Sequence, residues 1–103
     1  MKLTFADTAK PDLAWFRIYY KAVFSAGAGK ASEQFLRTIA NLRAHPYIGH
    51  PVGDDVLREL SIPRTPFSIV YRVLEDRIEV ARIWDQRSDP EGRGFQEEMA
   101  EFA

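Results

Sequence analysis

Between Leu57 and Pro90 the chain alternates apolar with polar residues in two runs, Phe67-Ile69-Tyr71-Val73 and Ile78-Val80. A period of two is the mark of half-buried strands. The segment reads as three strands, about Val56–Pro63, Phe67–Leu74 and Arg77–Asp85, with Glu75-Asp76 as a tight hairpin turn. Pro63 and Pro66 fall where the first strand gives way to the second, a place where no ladder donor is lost.

The residues before this meander carry a different period. Lys2–Phe5 is a candidate edge strand. Asp7 or Thr8 suits the cap of a following helix, and Pro11 is tolerated near a helix start. Leu13, Phe16, Tyr20, Val23 and Phe24 recur at helical spacing and predict a core-facing stripe. Trp15, Ile18 and Tyr19 widen that stripe beyond what one packing layer needs. Gly27 and Gly29 break the helix, and a second runs from about Lys30 to Ala44 with Phe35, Ile39 and Leu42 inward. The Pro- and Gly-rich stretch HPYIGHPVGDD reads as a loop into the sheet. These elements predict one α+β domain over 1–103. It comprises a strand at 1–6, a helical hairpin at 8–44, a three-stranded meander at 56–86 and an acidic tail at 90–103. The sheet is mainly antiparallel, of about four strands. The tail is compatible equally with a short amphipathic helix around Phe95, Met99 and Phe102 and with a segment that stays loose until a partner arrives.

A chain of 103 residues, 46% hydrophobic and 28% charged, has the makeup of a soluble globular domain. It contains no cysteine, which excludes disulfides and thiolate metal sites. No apolar run approaches a membrane span, and MKLTFADTAK lacks the apolar core of a signal peptide, so the cytoplasm is the expected compartment and no membrane partner is expected. Net charge is −1. A protein that grips nucleic acid through its phosphates should be basic, so any such role must rest on a local patch.

That patch would be arginine. The run Leu57 to Pro90 holds six arginines and no lysine, and a planar guanidinium can bond two oxygens of a phosphate or carboxylate at once. Strict alternation places Ile78, Val80, Arg82 and Trp84 on one face of the last strand and Glu79, Ala81, Ile83 and Asp85 on the other. Arg72 and Arg82 then share faces with apolar residues and need partners, either Glu59, Glu79 or Asp85 within the domain, or groups on another molecule. Arg77 beside the turn reads as an internal pair, and Arg58, Arg64 and Arg87 lie at strand ends or loops, where functional side chains concentrate. His45 and His50, five apart without clustered carboxylates, do not make a metal site. Gly27-Ala28-Gly29-Lys30 lacks the spacing of a phosphate loop and is read as a helix break. After Tyr71 no Tyr, His, Lys or Cys follows. Cleavage of RNA needs a proton acceptor and a donor, and arginine, with a pKa above ~12, serves poorly as either.

The order of pieces resembles the ParE/RelE superfamily of bacterial toxins from type II toxin–antitoxin systems. LTFADTAKPDLAWFRIYY is similar to the family's first strand and helix, HPYIGHPV to its Pro-x-x-Gly-x-Pro loop, and R-E-L, F-S-I-V-Y-R-V and I-E-V-A-R-I-W-D-Q-R-S-D-P to its closing strands and arginine-bearing loop. The resemblance implies one of two activities. RelE-like members cut messenger RNA on the ribosome with basic residues and often a C-terminal tyrosine or histidine, whereas ParE-like members inhibit DNA gyrase. By position Arg64 and Arg87 lie nearest the nuclease arginines, and Asp85 stands where many members carry histidine; Asp85, Asp89 and the tail glutamates are the groups left for proton transfer. Arg58 and Arg82 match arginines common in the ParE branch.

The expected function is therefore a ParE-like toxin that binds DNA gyrase, needs no cofactor or metal, and need not be an enzyme. The alternatives are a ribosome-dependent mRNA endonuclease using Arg64, Arg87 and Asp85, and a degenerate toxin that survives as an antitoxin-binding co-repressor. The resemblance also implies a cognate antitoxin whose segment wraps the hairpin and sheet. Trp15, Ile18, Tyr19 and Ala22 would form its groove, with Arg37, Arg43, Arg58 and Arg82 facing its acidic residues.

Overall fold

β1 (Lys2–Phe5) lies parallel to β5 (Arg77–Asp85) along one edge of a five-stranded sheet of order β1-β5-β4-β3-β2. All other pairings are antiparallel, between β2 (His50–Val52), β3 (Leu57–Ser61), β4 (Phe67–Val73) and β5. α1 (Lys10–Ile18) and α2 (Ala28–Ala44) follow β1 and precede the meander. The computed structural model describes residues 1–53 and 56–87, and the expected acidic tail at 90–103 lies outside them. Among the described residues no helix is long and apolar enough to cross a membrane.

The core lies between the helices and one sheet face. Phe16 meets Tyr20, Phe35 and Phe67 at ring-centroid distances of 5.1, 5.3 and 5.0 Å, within the range that favours tilted and edge-to-face rings. From the sheet, Phe67, Ile69, Tyr71, Ile78, Val80 and Ile83 complete this cluster, and Leu42 and Ala31 of α2 join it. Buried Tyr71 has its hydroxyl engaged, accepting the Gly49 N–H at 2.9 Å. Gly49 must be glycine here. A Cβ at that position would lie 2.7 Å from Tyr71 Oη and 2.8 Å from the Glu59 carbonyl oxygen.

Several expectations need correction. The stretch read as a loop contains β2, which pairs His50 with Glu59, Pro51 with Arg58 and Val52 with Leu57, making five strands instead of about four. Pro51 concealed it, yet proline is acceptable on an outermost strand because its missing donor would face away from the sheet. α2 begins at Ala28, so Gly29 lies inside it. Gly27 serves packing instead: a Cβ there would meet the Phe24 ring at 2.6 Å. α1 continues into a π-helical turn over Tyr19–Val23, closed by Phe24 N–H to the Tyr19 carbonyl at 2.7 Å. The added residue per turn rotates Val23 and Phe24 out of the expected inward stripe, leaving them 61% and 50% exposed.

Neither Asp7 nor Thr8 caps a helix. Asp7 forms an exposed pair with Lys10, while the Thr8 hydroxyl donates to the Ala81 carbonyl at 2.7 Å. That contact belongs to a second correction. β5 carries a bulge: Val70 pairs with Arg82 but Tyr71 with Val80, so Ala81 is an additional residue. Beyond it the faces exchange. Ile83 joins Ile78 and Val80 in the helix-side core, while Ala81 and Trp84 join Val70 and Leu57 in a separate cluster on the opposite face. Arg82 therefore does not share a face with Ile78 and Val80, and its partner is Asp12, which was not among the carboxylates considered. Asp12 Oδ2 accepts Arg82 Nε at 2.5 Å and the Ile83 N–H at 3.0 Å, and Oδ1 accepts Arg82 Nη2 at 2.9 Å. Arg72 does take an expected partner, donating through Nε and Nη2 to Glu79 Oε1 at 2.8 and 2.7 Å.

The side chains of Arg82 and Asp12 are only 14% and 13% exposed, so removing one leaves the other poorly solvated. Asp12→Ala is expected to lower unfolding stability in urea titrations by about 3–5 kcal/mol, and Arg72→Ala on the more open face by less.

Candidate functional site

α1 presents two stripes of opposite use. Phe16 and Tyr20 turn into the core, while Trp15, Ile18 and Ala22, spaced i, i+3, i+7, stand on the outer side and are exposed. Val23 and Phe24 extend this outer surface past the π turn. Tyr19 lies between the two, packing on Phe67 at 5.6 Å and on Trp15 at 6.1 Å between ring centroids. The strip lies outside the core, and exposed apolar surface of this kind is found more often at contact faces than elsewhere on soluble proteins.

The strip ends at a charged clamp. Trp15 Nε1 donates to Asp85 Oδ2 at 3.2 Å. Arg87 grips the same carboxylate through Nε at 3.0 Å, Nη2 at 2.9 Å and its backbone N–H at 3.1 Å. Its third nitrogen, Nη1, donates to the Tyr19 hydroxyl at 2.9 Å, and the guanidinium lies 4.5 Å from the Tyr19 ring centroid. The Arg87 hydrogen bonds hold the Asp85 carboxyl below its ordinary pKa against the opposing effect of burial, and the same pair raises that of Arg87. Sequence reasoning found Trp15, Tyr19, Asp85 and Arg87 separately; that one clamp joins them was not visible, because it links residues about seventy positions apart.

The remaining candidates are scattered. Arg37 pairs with Glu33 on α2. Arg43 donates to the Met1 carbonyl while its own carbonyl accepts the N-terminal ammonium. Arg58 is held by the Gly49 and Tyr47 carbonyls at 3.0 and 3.1 Å and stacks 5.3 Å from the Tyr47 ring centroid. There it borders a hollow of about 260 Å³ lined by Tyr47, Val56, Arg58, Arg72, Val73 and Leu74. Arg82 is engaged by Asp12 behind α1. Of the residues expected to bind an antitoxin, Trp15, Ile18, Tyr19 and Ala22 share one side of α1, and Trp15 and Tyr19 also meet Asp85 and Arg87. His50 lies 3.4 Å from Glu59, and no group of three metal-ligating residues occurs among the described residues.

Arg64 differs from the others. It is exposed and joins no ion pair among the described residues. It occupies the third position of the Ile62–Thr65 turn with a φ of +64°, following Pro63, and the Thr65 N–H bonds to the Ile62 carbonyl at 3.2 Å. Turns of this form favour glycine at that position. Gln86 N–H bonds to the Pro66 carbonyl, so Arg64 lies at the same end of the sheet as the clamp.

A sequence profile described as ParE toxin of type II toxin–antitoxin system, parDE, matches residues 3–90. The chain belongs to this family. No curated protein sequence matches it. Among solved structures, the ParE-family chain is similar to one titled chromosomal ParDE TA system from P. aeruginosa, with 29% identity and a TM-score of 0.63 over 81% of this chain and 92% of that one. The strand, helical hairpin and mostly antiparallel sheet are thus the ParE-like fold.

Two measurements test the site. Because Asp85 has a lowered pKa in the folded state, its contribution is present above the unfolded carboxylate value near ~3.9 and disappears as pH falls through the folded one. Asp85→Asn is expected to cost about 1 kcal/mol at pH 7, discounted for the half-exposed Arg87, and the difference from the parent should shrink in urea titrations as pH falls through the lowered folded-state pKa of Asp85. Arg64→Gly should raise stability by about 1 kcal/mol by relieving the left-handed backbone; a loss would show that the Arg64 side chain supports the fold.

Proposed function

We propose that this ParE-family toxin arrests growth by binding DNA gyrase and is neutralised by an antitoxin segment laid along the outer stripe of α1. The observation that carries the reading is the continuous exposed strip of Trp15, Ile18, Ala22, Val23 and Phe24, a surface suited to an amphipathic segment. Membership of the family, and similarity to a structure titled as a ParDE system, favour an antitoxin partner and a gyrase target over a ribosomal one. The chemistry of the clamp points the same way. A carboxylate fixed by three donors from Arg87 and held below its usual pKa is a weak proton acceptor. Arg87, whose pKa rises, is a weak donor.

The alternative of an mRNA endonuclease rests on Arg64 and Arg87 sharing one end of the sheet. Tightly controlled expression separates the two. DNA breaks with filamentous cells are expected, whereas immediate translation arrest with cut messages, abolished by Arg87→Ala, would replace the gyrase reading by the nuclease. Ile18→Glu places a charge in the middle of the strip. It is expected to weaken antitoxin binding at least about tenfold, or ~1.4 kcal/mol, in titration calorimetry, with toxicity retained. Unchanged affinity would place the antitoxin elsewhere.

A further inference from the structure

The β3–β4 ladder ends early. Arg58 opposite Tyr71 is its last pair, yet β4 runs on to Val73 and β3 begins one residue before Arg58, where Leu57 pairs with Val52 of β2. A strand drawn toward one neighbour parts from the other. The hollow of about 260 Å³ lies in that fork, lined by Tyr47, Val56, Arg58, Arg72, Val73 and Leu74. None of these residues belongs to the α1 strip.

The lining combines apolar surface with one fixed cation. Val56, Val73 and Leu74 are aliphatic, and Tyr47 adds an aromatic wall. Arg58 Nε and Nη2 donate to the Gly49 and Tyr47 carbonyls, and the guanidinium stacks on the Tyr47 ring. It also approaches the Tyr71 hydroxyl. All of these partners are neutral, so they hold the guanidinium in place without cancelling its charge. Nor do they use all five of its N–H donors. Arg72, by contrast, has its charge balanced by Glu79.

We propose that this hollow is a binding site for a small organic acid, a carboxylate carried on a compact aromatic or branched aliphatic body. The carboxylate would pair with Arg58, and the body would rest on Val56, Val73 and Leu74 beside the Tyr47 ring. A guanidinium already immobilised loses little freedom on binding, and its charge-assisted bond to a carboxylate is stronger than a neutral one. Volume limits the ligand. Sites for drug-sized molecules occupy ~300–1,000 Å³, so this one admits only something smaller. The aliphatic lining separates such an acid from inorganic phosphate, which has no apolar surface to bury there. Asp76 of the adjoining turn pairs with Arg77, and Glu75 is exposed, where its charge is screened.

Benzoate is the probe, titrated at constant ionic strength into the full chain with isotope-labelled valine and leucine methyls. The Val56, Val73 and Leu74 signals are expected to shift saturably with a dissociation constant on the order of 1–10 mM, as ligands of this size reach. Benzamide, equal in shape but uncharged, should bind at least about tenfold more weakly. Arg58→Gln should weaken benzoate by a similar factor while the Leu42 and Val80 methyl shifts report an intact core. Should that variant not fold, Val56→Glu at an exposed position sets a carboxylate at the rim and should abolish binding with the core signals in place. The proposal fails if the three methyls do not shift, if benzamide matches benzoate, or if either folded variant keeps the parent affinity. It fails also if inorganic phosphate moves the same signals at equal concentration. Asp54 and Asp55 precede Val56 in the chain; benzoate binding only after Asp54→Asn with Asp55→Asn would overturn it too, by showing that the protein supplies its own carboxylate.

Discussion

β5 is the strand on which the molecule is assembled, and its outer edge is completed by side chains. β1 pairs with it only from Arg77 to Val80, and the Ala6 N–H makes the last main-chain bond, to the Val80 carbonyl. Past that point the edge would offer bare donors and acceptors. The Thr8 hydroxyl instead takes up the Ala81 carbonyl, and the Asp12 carboxylate takes up the Ile83 N–H. A buried main-chain group left without a partner costs about as much as a lost hydrogen bond, so these two contacts fix where α1 begins. Once its start is fixed, Phe16 and Tyr20 fall on Phe67. Trp15 and Ile18 fall outside, and Trp15 reaches Asp85. The exposed strip is a consequence of how one strand edge is closed.

The parts legible in the sequence are those governed by local period. Phe67, Ile69, Tyr71 and Val73 alternate as β4 requires, and of the surplus apolar residues of α1, Trp15 and Ile18 stand outside the core while Tyr19 packs partly against it. The bulge at Ala81 left no comparable mark. One added residue reverses the side of everything after it, and a small alanine between Val80 and Arg82 looks like any other position in an alternating run. The π turn escaped notice for the same reason, since a single added residue displaced Val23 and Phe24 from a stripe that i, i+4 spacing placed inward. Partnerships across the chain, Asp12 with Arg82 and Trp15 with Asp85, depend on tertiary placement and have no local signature.

The arginines illustrate the difference between composition and role. Six of them between Leu57 and Pro90 suggested a platform for anions. In the folded domain Arg72, Arg77, Arg82 and Arg87 each meet a carboxylate, and Arg58 is held by two carbonyls. Most of these six charges are therefore compensated within the domain. With these arginines engaged, the exposed apolar strip of α1 favours recognition of a protein over recognition of a phosphate backbone.

Arg64 is the residue that compensation does not explain. An arginine in the left-handed region costs roughly 1–2 kcal/mol relative to a right-handed backbone, and its exposed side chain repays none of that through an ion pair among the described residues. Strain at an exposed turn is commonly found where a side chain is needed for something outside the fold. The turn holds Arg64 at the end of the sheet where Arg87 and Asp85 terminate the α1 strip, so a protein segment following the strip from Val23 toward Trp15 would arrive at a guanidinium with open donors. In the proposed antitoxin contact, apolar length would supply attraction and a terminal charge would fix the direction in which the segment lies.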